Sequence, residues 1–263
     1  MGQHQKKNYN TIKTGVFLNK EGLPLNIEGL YNNRSIFFIL NGPSLNDVDL
    51  DLLHRPGILT FGVNNGGAKF KPNLISLQDG SQKFHYNIWE DPTIMKFTNY
   101  QNRRKKYFSY KDVPANVKDC PNIIYHKRSS DWTPDEWFNK TTVCWGSKKL
   151  SRCSFVAMIH ISFLLGFKRI YLLGCDFKME DKPYFFDERK SKKAMLSNNS
   201  TFRRMNILLK ESLPLLDSVG LKIYNCTPDS GLTIFPFMQV EDAIEENQLV
   251  DNNDTLGLYS RSI

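Results

Sequence analysis

The sequence predicts an α/β fold with a mostly parallel sheet flanked by helices, and three features of the 263-residue chain carry that prediction. First, three apolar runs, Ile36 to Leu40, Gly57 to Val63 and Asn73 to Leu77, each stop at small or polar residues. The stops are Asn41-Gly42-Pro43-Ser44, Asn64-Asn65-Gly66-Gly67 and Gln78-Asp79-Gly80. Continuous apolar runs bounded by turn residues read as strands buried on both faces. Second, a dense apolar segment from Ser151 to Leu165 is followed by Gly166 and the strand pattern Arg169 to Leu173, the helix-then-strand return of a parallel sheet. Third, that strand also ends in small and polar residues, Gly174-Cys175-Asp176. In a parallel sheet these carboxyl ends share one edge, where open α/β sheets bind ligands.

Composition bounds the rest. With 40% hydrophobic residues, 18 Phe, 11 Tyr and 4 Trp, the chain can build one sizeable domain with an insertion, and disorder is confined to its ends. Five widely spaced cysteines, with no C-x-x-C pair, point to a reduced, cytoplasmic chain without a structural zinc site. The opening MGQHQKKNYN lacks the apolar stretch of a signal peptide, and Lys6 stands where a myristoylation signal needs Ser or Thr. No apolar run is long enough to span a membrane, so the sequons at Asn139 and Asn199 carry little meaning. The formal charge of +8 is partly clustered, at Arg103 to Lys106, Lys190 to Lys193 and Arg203-Arg204. It suits a polyanionic partner such as a nucleotide, a nucleic acid or an acidic glycan, or simply a solvated basic surface.

In chain order, residues 1 to 34 form a polar N-terminal extension in which Val16 to Leu18 and Leu23 to Ile27 could add an edge hairpin. A single domain follows over 35–240. Its opening stretch reads as a strand, a tight turn and a helix start: Gly42 permits close backbone approach, Pro43 presets φ, and Ser44 with Asp47 matches a capping pair. Such a turn aims backbone amides at an anion, though an ordinary strand-to-helix turn has the same pattern. The short helix expected over Asn46 to Leu53 carries Asp47, Asp49 and Asp51. A D-x-D pair can ligate metal, but carboxylates in a first helical turn also favour the helix dipole. Residues 83 to 150 read mainly as a helical flank, with a strand at Asn122 to Tyr125. His160, inside the buried helix, reads as a satisfied core histidine. Residues 178 to 200 break periodicity with charge, Pro183 and aromatics, the pattern of a lid over the sheet edge. A helix over Thr201 to Val219, interrupted near Pro214, a last strand at Lys222 to Asn225 and a polar, frayed tail over 241–263 complete the chain.

Three segments together carry a family likeness: Asn41-Gly42-Pro43-Ser44-Leu45 before an Asp/Leu-rich helix, a strand ending in Asn64, and Ser154 opening a buried helix that leads to Ile170-Tyr171-Leu172-Leu173-Gly174-Cys175-Asp176-Phe177. The combination resembles the bacterial lipo-oligosaccharide sialyltransferases. It is also similar to the wider superfamily that includes flagellin motility-accessory glycosyltransferases and archaeal-type 6-hydroxymethylpterin pyrophosphokinases, and to bacteriophage proteins with the same opening motif. The resemblance implies a Rossmann-like fold of the GT-A-variant kind with a lid-like insertion over 178–200, and a nucleotide site at the sheet edge. It places Asn41, Gly42 and the turn residues Pro43 and Ser44 against the CMP part of a CMP-sugar, with Asn64 on the same nucleotide. Ser154 falls near ribose and base, Gly174 in the G-x-D turn, and Tyr184 and Lys178 where lid tyrosines meet phosphate. Asp79 replaces an Asn. Thr201 falls where the family has its general-base histidine, so sialyl transfer has no obvious base here.

Three functions follow as expectations. The first is a metal-independent glycosyltransferase using a nucleotide-sugar donor, CMP-sugar favoured, with Asp79 or Asp176 as catalytic candidates, no cofactor, and a glycan or modified nucleic-acid base as acceptor. The second is a Mg²⁺-dependent phosphoryl or pyrophosphoryl transferase in which those aspartates ligate the ion. The third is a non-catalytic nucleotide- or nucleic-acid-binding module. A phage-encoded protein would act in the host cytoplasm.

Overall fold

A computed structural model describes residues 15–138, 141–147, 153–180, 182–188 and 190–247. The first 14 residues, the sequon Asn139, the expected start of the buried helix at Ser151 and the tail beyond residue 247 lie outside the described residues.

In chain order the elements are β1 (Phe17–Leu18), β2 (Ser35–Ile39), β3 (Thr60–Val63), β4 (Leu74–Leu77), α1 (Tyr86–Glu90), β5 (Met95–Asn99), β6 (Lys106–Phe108), β7 (Pro114–Asn116) and β8 (Ile123–His126). Then follow β9 (Arg128–Ser129), α2 (Pro134–Phe138), β10 (Val143–Cys144), α3 (Ser154–Leu164), β11 (Arg169–Leu173), α4 (Lys192–Ser218), β12 (Lys222–Asn225) and α5 (Val240–Glu246). Eight strands form one sheet in the order β1-β8-β5-β4-β3-β2-β11-β12, parallel throughout except for β1 on β8. The fold is therefore the mostly parallel α/β sheet flanked by helices that the apolar runs predict.

Alternate residues of each strand serve opposite faces, which is why the runs are apolar without a break. Ile36 and Phe38 of β2, with Ile170 and Leu172 of β11, pack in one cluster with α3 and with Leu209 and Leu216 of α4. Phe37, Ile39, Tyr171 and Leu173 point the other way, into a cluster with Leu45, Leu53, Phe70 and Ala243 of α5. From β2 the chain steps outward through β3, β4 and β5 to β8. It then returns to the opposite side of β2 for β11 and β12. The order reverses between β2 and β11, and such a switch point leaves a crevice outside the strand ends.

Several expectations need correction. The central strand β5 lies inside the region read as a helical flank, because Lys96 interrupts its apolar pattern. That lysine is fully buried, and its ammonium donates to the carbonyls of Asp91 (2.6 Å), Ile94 (2.9 Å) and Pro121 (2.9 Å). Burial pushes its pKa down to about 8. The helix expected at Asn46 to Leu53 is two 3₁₀ turns, Pro43–Asp47 and Leu50–His54. The lid-like excursion ends at Ser191, not 200: α4 starts at Lys192, capped by the Ser191 hydroxyl, and runs unbroken through Pro214. Residues 240 to 247 do not fray. They carry α5, where Glu246 accepts from the Tyr171 hydroxyl (3.0 Å) and Asn247 donates to Gly57 O (3.1 Å). The edge element expected in the N-terminal extension is, by contrast, present, with Leu18 bridged to Pro24. Its β1 extends the sheet edge, while the Gly29, Tyr31 and Asn33 amides satisfy the last carbonyls of α3 and its turn, those of Leu164, Leu165 and Gly166.

Candidate nucleotide-binding cleft

The crevice at the switch point is a cleft of about 430 Å³. Its floor is the junction of the two turns that follow β2 and β11. The Gly42 amide donates to Gly174 O (3.0 Å), and Leu40 N to Leu173 O (3.0 Å). A Cβ on Gly42 would stand 1.7 Å from Asp176 Oδ2 and 2.5 Å from Gly174 O, so only glycine fits there. Gly174 itself has φ +64, the left-handed region glycine enters without strain. Asp176 is 8% exposed, and its carboxylate accepts a hydrogen bond from the Ser44 hydroxyl (2.7 Å). Its backbone is fixed too, since Gly231 N donates to Asp176 O (2.8 Å) and Cys175 N to Thr227 Oγ1 (2.8 Å).

This geometry reassigns two residues. Ser44 does not cap a helix; its hydroxyl is spent on Asp176, and the 3₁₀ turn that Pro43 opens has no side-chain cap. Pro43 and Ser44 lie behind the cleft wall instead of on it, whereas Asn41, Gly42, Asn64, Asp79 and Ser154 do line it. Gly174, Asp176, Lys178, Tyr184 and Thr201 line it as well. The sheet edge thus gathers nearly all of the expected residues from six separate segments.

Two wall residues carry unpaired polar atoms. The amide oxygens of Asn41 and Asn64 are buried with no hydrogen-bond partner among the described residues, a cost of about 1–3 kcal/mol each, and that of Asn41 is turned against Gly66, where an added Cβ would stand 2.1 Å from it. Asn64 holds φ +52 at the end of β3, a backbone that Asn tolerates better than most side chains. Ser154 opens α3, whose first turn faces the cleft. The Cys153 thiol sits over that turn, and its pKa is pushed up by burial against the opposing pull of the Phe155 and Val156 amides.

The remaining wall is the strap after β11. Its first part is pinned to α4: Met179 N donates to Asn199 Oδ1 (2.8 Å), Asn199 Nδ2 donates back to Met179 O (3.1 Å), and Phe177 stacks on Phe202 (4.9 Å). Beyond it, Phe185 N donates to Asn41 O (3.2 Å), which closes the strap onto the β2 turn. Tyr184 stacks on Phe186 (5.0 Å), and burial raises its pKa, so it faces the cleft as a neutral hydroxyl.

The two catalytic candidates differ in setting. Asp176 is a buried clamp, while Asp79 lies exposed at the cleft mouth and pairs with Lys83 (3.2 Å). Among the described residues no group of three His, Cys, Asp or Glu gathers for a metal, and Asp47, Asp49 and Asp51 do not line the cleft. No described histidine lines it either. His126 and His160 are fully buried, and desolvation lowers their pKa to about 3 and about 4. His160 is the satisfied core residue expected: its Nδ1 accepts from Cys144 N (2.8 Å) and its Nε2 faces Trp137 O (3.3 Å). Thr201 spends its hydroxyl on the Ser197 carbonyl (3.1 Å). Sequence reasoning missed Trp145, Asn198 and Lys190 as cleft residues; Lys190 was visible only as part of a basic run. Among the described residues no helix is long and apolar enough to cross a membrane.

No family model and no curated protein matches this sequence. Among solved structures, the chain is similar to the MAf glycosyltransferase from Magnetospirillum magneticum, at 13% identity and a TM-score of 0.49 over 91% of this chain. The chain spans only 37% of that protein's length. It is also similar to the sialyltransferase CstII from Campylobacter jejuni, solved with the substrate analogue cytidine-5'-monophosphate, at 16% identity and a TM-score of 0.43 over 79% of this chain and 85% of that one. At such identities no residue role passes from those proteins to this chain.

Proposed function

We propose that this chain is a glycosyltransferase-like enzyme that holds a nucleotide-sugar donor, CMP-sugar favoured, in the switch-point cleft and transfers the sugar to an acceptor hydroxyl without a metal ion. The observation that carries this reading is the make-up of the cleft. One wall presents amide and hydroxyl groups suited to a base and ribose, from Asn41, Asn64 and Ser154. The other presents the cations Lys178 and Lys190 and the neutral Tyr184 hydroxyl, suited to phosphate. Positive charge beside the leaving group would offset the charge that develops as the sugar departs. Asp79, exposed at the mouth, is the group placed to take the acceptor proton, and Asp176 positions the turn that cradles the nucleotide.

Isothermal titration with CMP, UMP, GMP and AMP tests the site. Micromolar binding of one of them, strongest for CMP, is the expected result, and absence of binding to all four overturns the reading. Donor turnover that disappears with EDTA and returns with Mg²⁺ would favour phosphoryl transfer instead.

A further inference from the structure

Lys190 stands in the cleft wall with its side chain 32% exposed, and its partners are specific. Its ammonium donates to Glu188 Oε1 at 2.6 Å and lies 5.5 Å from the centre of the Tyr184 ring. The other Glu188 oxygen accepts from Asn65 Nδ2 (3.4 Å). Asn65 follows the cleft residue Asn64 and also bonds Lys83 O (3.0 Å) and His85 N (3.1 Å). Glu188 therefore bridges the strap to the β3 edge while neutralising a cation that faces the cleft. The same arrangement recurs, more loosely, on the other cleft lysine: Lys178 meets Glu180, also two residues away, at 3.9 Å.

We propose that Lys190 is the phosphate-binding cation of the cleft and that Glu188 is its internal counter-ion, displaced when a nucleotide phosphate takes its place. The proposal rests on the nucleotide reading above and adds to it which residue meets the phosphate and what competes for it. A carboxylate carries one negative charge, as does the phosphodiester of a CMP-sugar, whereas the phosphate monoester of the nucleoside monophosphate left after transfer carries close to two and offers three acceptor oxygens to the ammonium's three donors, so the displacement is strongest for that leaving group. The stronger anion wins Lys190, and the freed Glu188, now beside a like charge, is driven toward solvent. Its bridge to Asn65 then breaks, so phosphate binding and strap position are coupled through one carboxylate. Tyr184, held flat by Phe186, offers its hydroxyl to the same phosphate.

The test compares the nucleoside monophosphate that binds the wild-type chain best with its own nucleoside, by titration calorimetry. Lys190→Met is expected to weaken the monophosphate at least tenfold and to leave the nucleoside within twofold, with Lys190→Arg restoring most of the loss. Glu188→Gln, which removes the competing charge and keeps the shape, is expected to tighten the monophosphate several-fold and leave the nucleoside unchanged. Equal losses for both ligands in Lys190→Met, an unchanged monophosphate affinity, or a weakened one in Glu188→Gln would each overturn the proposal. Failure of the wild-type chain to bind any monophosphate overturns the nucleotide reading itself and the proposal with it.

Discussion

The two walls of the cleft are built by different means. The rim made by the turns after β2 and β11 is fixed through its backbone amides and carbonyls, Gly42 on Gly174, Gly231 on Asp176 and Cys175 on the Thr227 hydroxyl, with Ser44 holding the Asp176 carboxylate against the turn. The outer strap, from Lys182 to Lys190 where described, is held by one backbone bond to Asn41, the packing of Phe185 on the Phe37 and Ile39 face of the sheet, the buried Pro183 and the Glu188 bridge. A rim of this kind inherits the rigidity of the sheet, so its chemistry cannot change without a cost in stability. Apart from Pro183 and Phe185, the strap can change its side chains at less cost, and tuning of the phosphate contact is expected to reside there.

The contrast breaks most visibly at Gly42. Gly42→Ala forces a methyl into the Asp176 carboxylate and the Gly174 carbonyl. It should cost about 3 kcal/mol or more of stability, measured by urea denaturation, and abolish nucleotide binding as well. An unaltered midpoint would show that the rim is softer than its hydrogen bonds imply.

Lys96 provides the control that separates stability from binding. It lies outside the cleft, and its removal strips a donor from three carbonyls. Lys96→Met should cost about 2 kcal/mol with nucleotide affinity unchanged. Because its pKa falls from 10.5 in the unfolded chain to about 8 in the fold, the folded state holds less proton across that window. Stability should therefore rise with pH between about 8 and 10.5 through this group, and the Met variant should lack that part of the slope. The buried histidines act in acid: with folded pKa values of about 3 and 4 against 6.5, His126 and His160 contribute stability above pH 6.5 that is lost as pH falls toward those values.

These residues also show where sequence reading stops. Strands β2, β3, β4, β11 and β12 were legible because each is an apolar or β-branched run ending at turn residues, and the gathering of Asn41, Asn64, Asp79, Ser154 and Gly174 followed from the shared edge. Strand β5, MKFTN, was hidden because a lysine in a strand signals solvent unless three carbonyls happen to surround it. The start of α4 was hidden because Lys192 to Ser200 has no apolar stripe, its order coming from the Ser191 cap and the Asn199 clamp on Met179. Ser44 has the spacing of a cap, but the carboxylate that claims its hydroxyl lies 132 residues away. Long-range polar partners leave no periodicity to read.

The smallest effects should sharpen the comparison. Asn64 belongs to the rim by backbone and, under the proposed function, to the ligand by side chain, and two substitutions divide those roles. Asn64→Ala keeps φ +52 at a cost of about 1 kcal/mol and removes the amide. Asn64→Gly removes the amide with no backbone strain. If the Asn64 amide serves the nucleotide, both variants lose affinity by the same factor, roughly tenfold for one hydrogen bond of about 1.4 kcal/mol, while only the Ala variant loses stability. Recovery of affinity in the Gly variant alone would mean that Asn64 matters only as a turn residue. Asp79→Asn, at the exposed mouth, should leave both stability and donor binding unchanged within about 0.5 kcal/mol and reduce transfer to the acceptor by 10²-fold or more. Among the described residues its carboxylate pairs with Lys83, so a fall in transfer with donor binding and stability intact would support Asp79 as the proton acceptor.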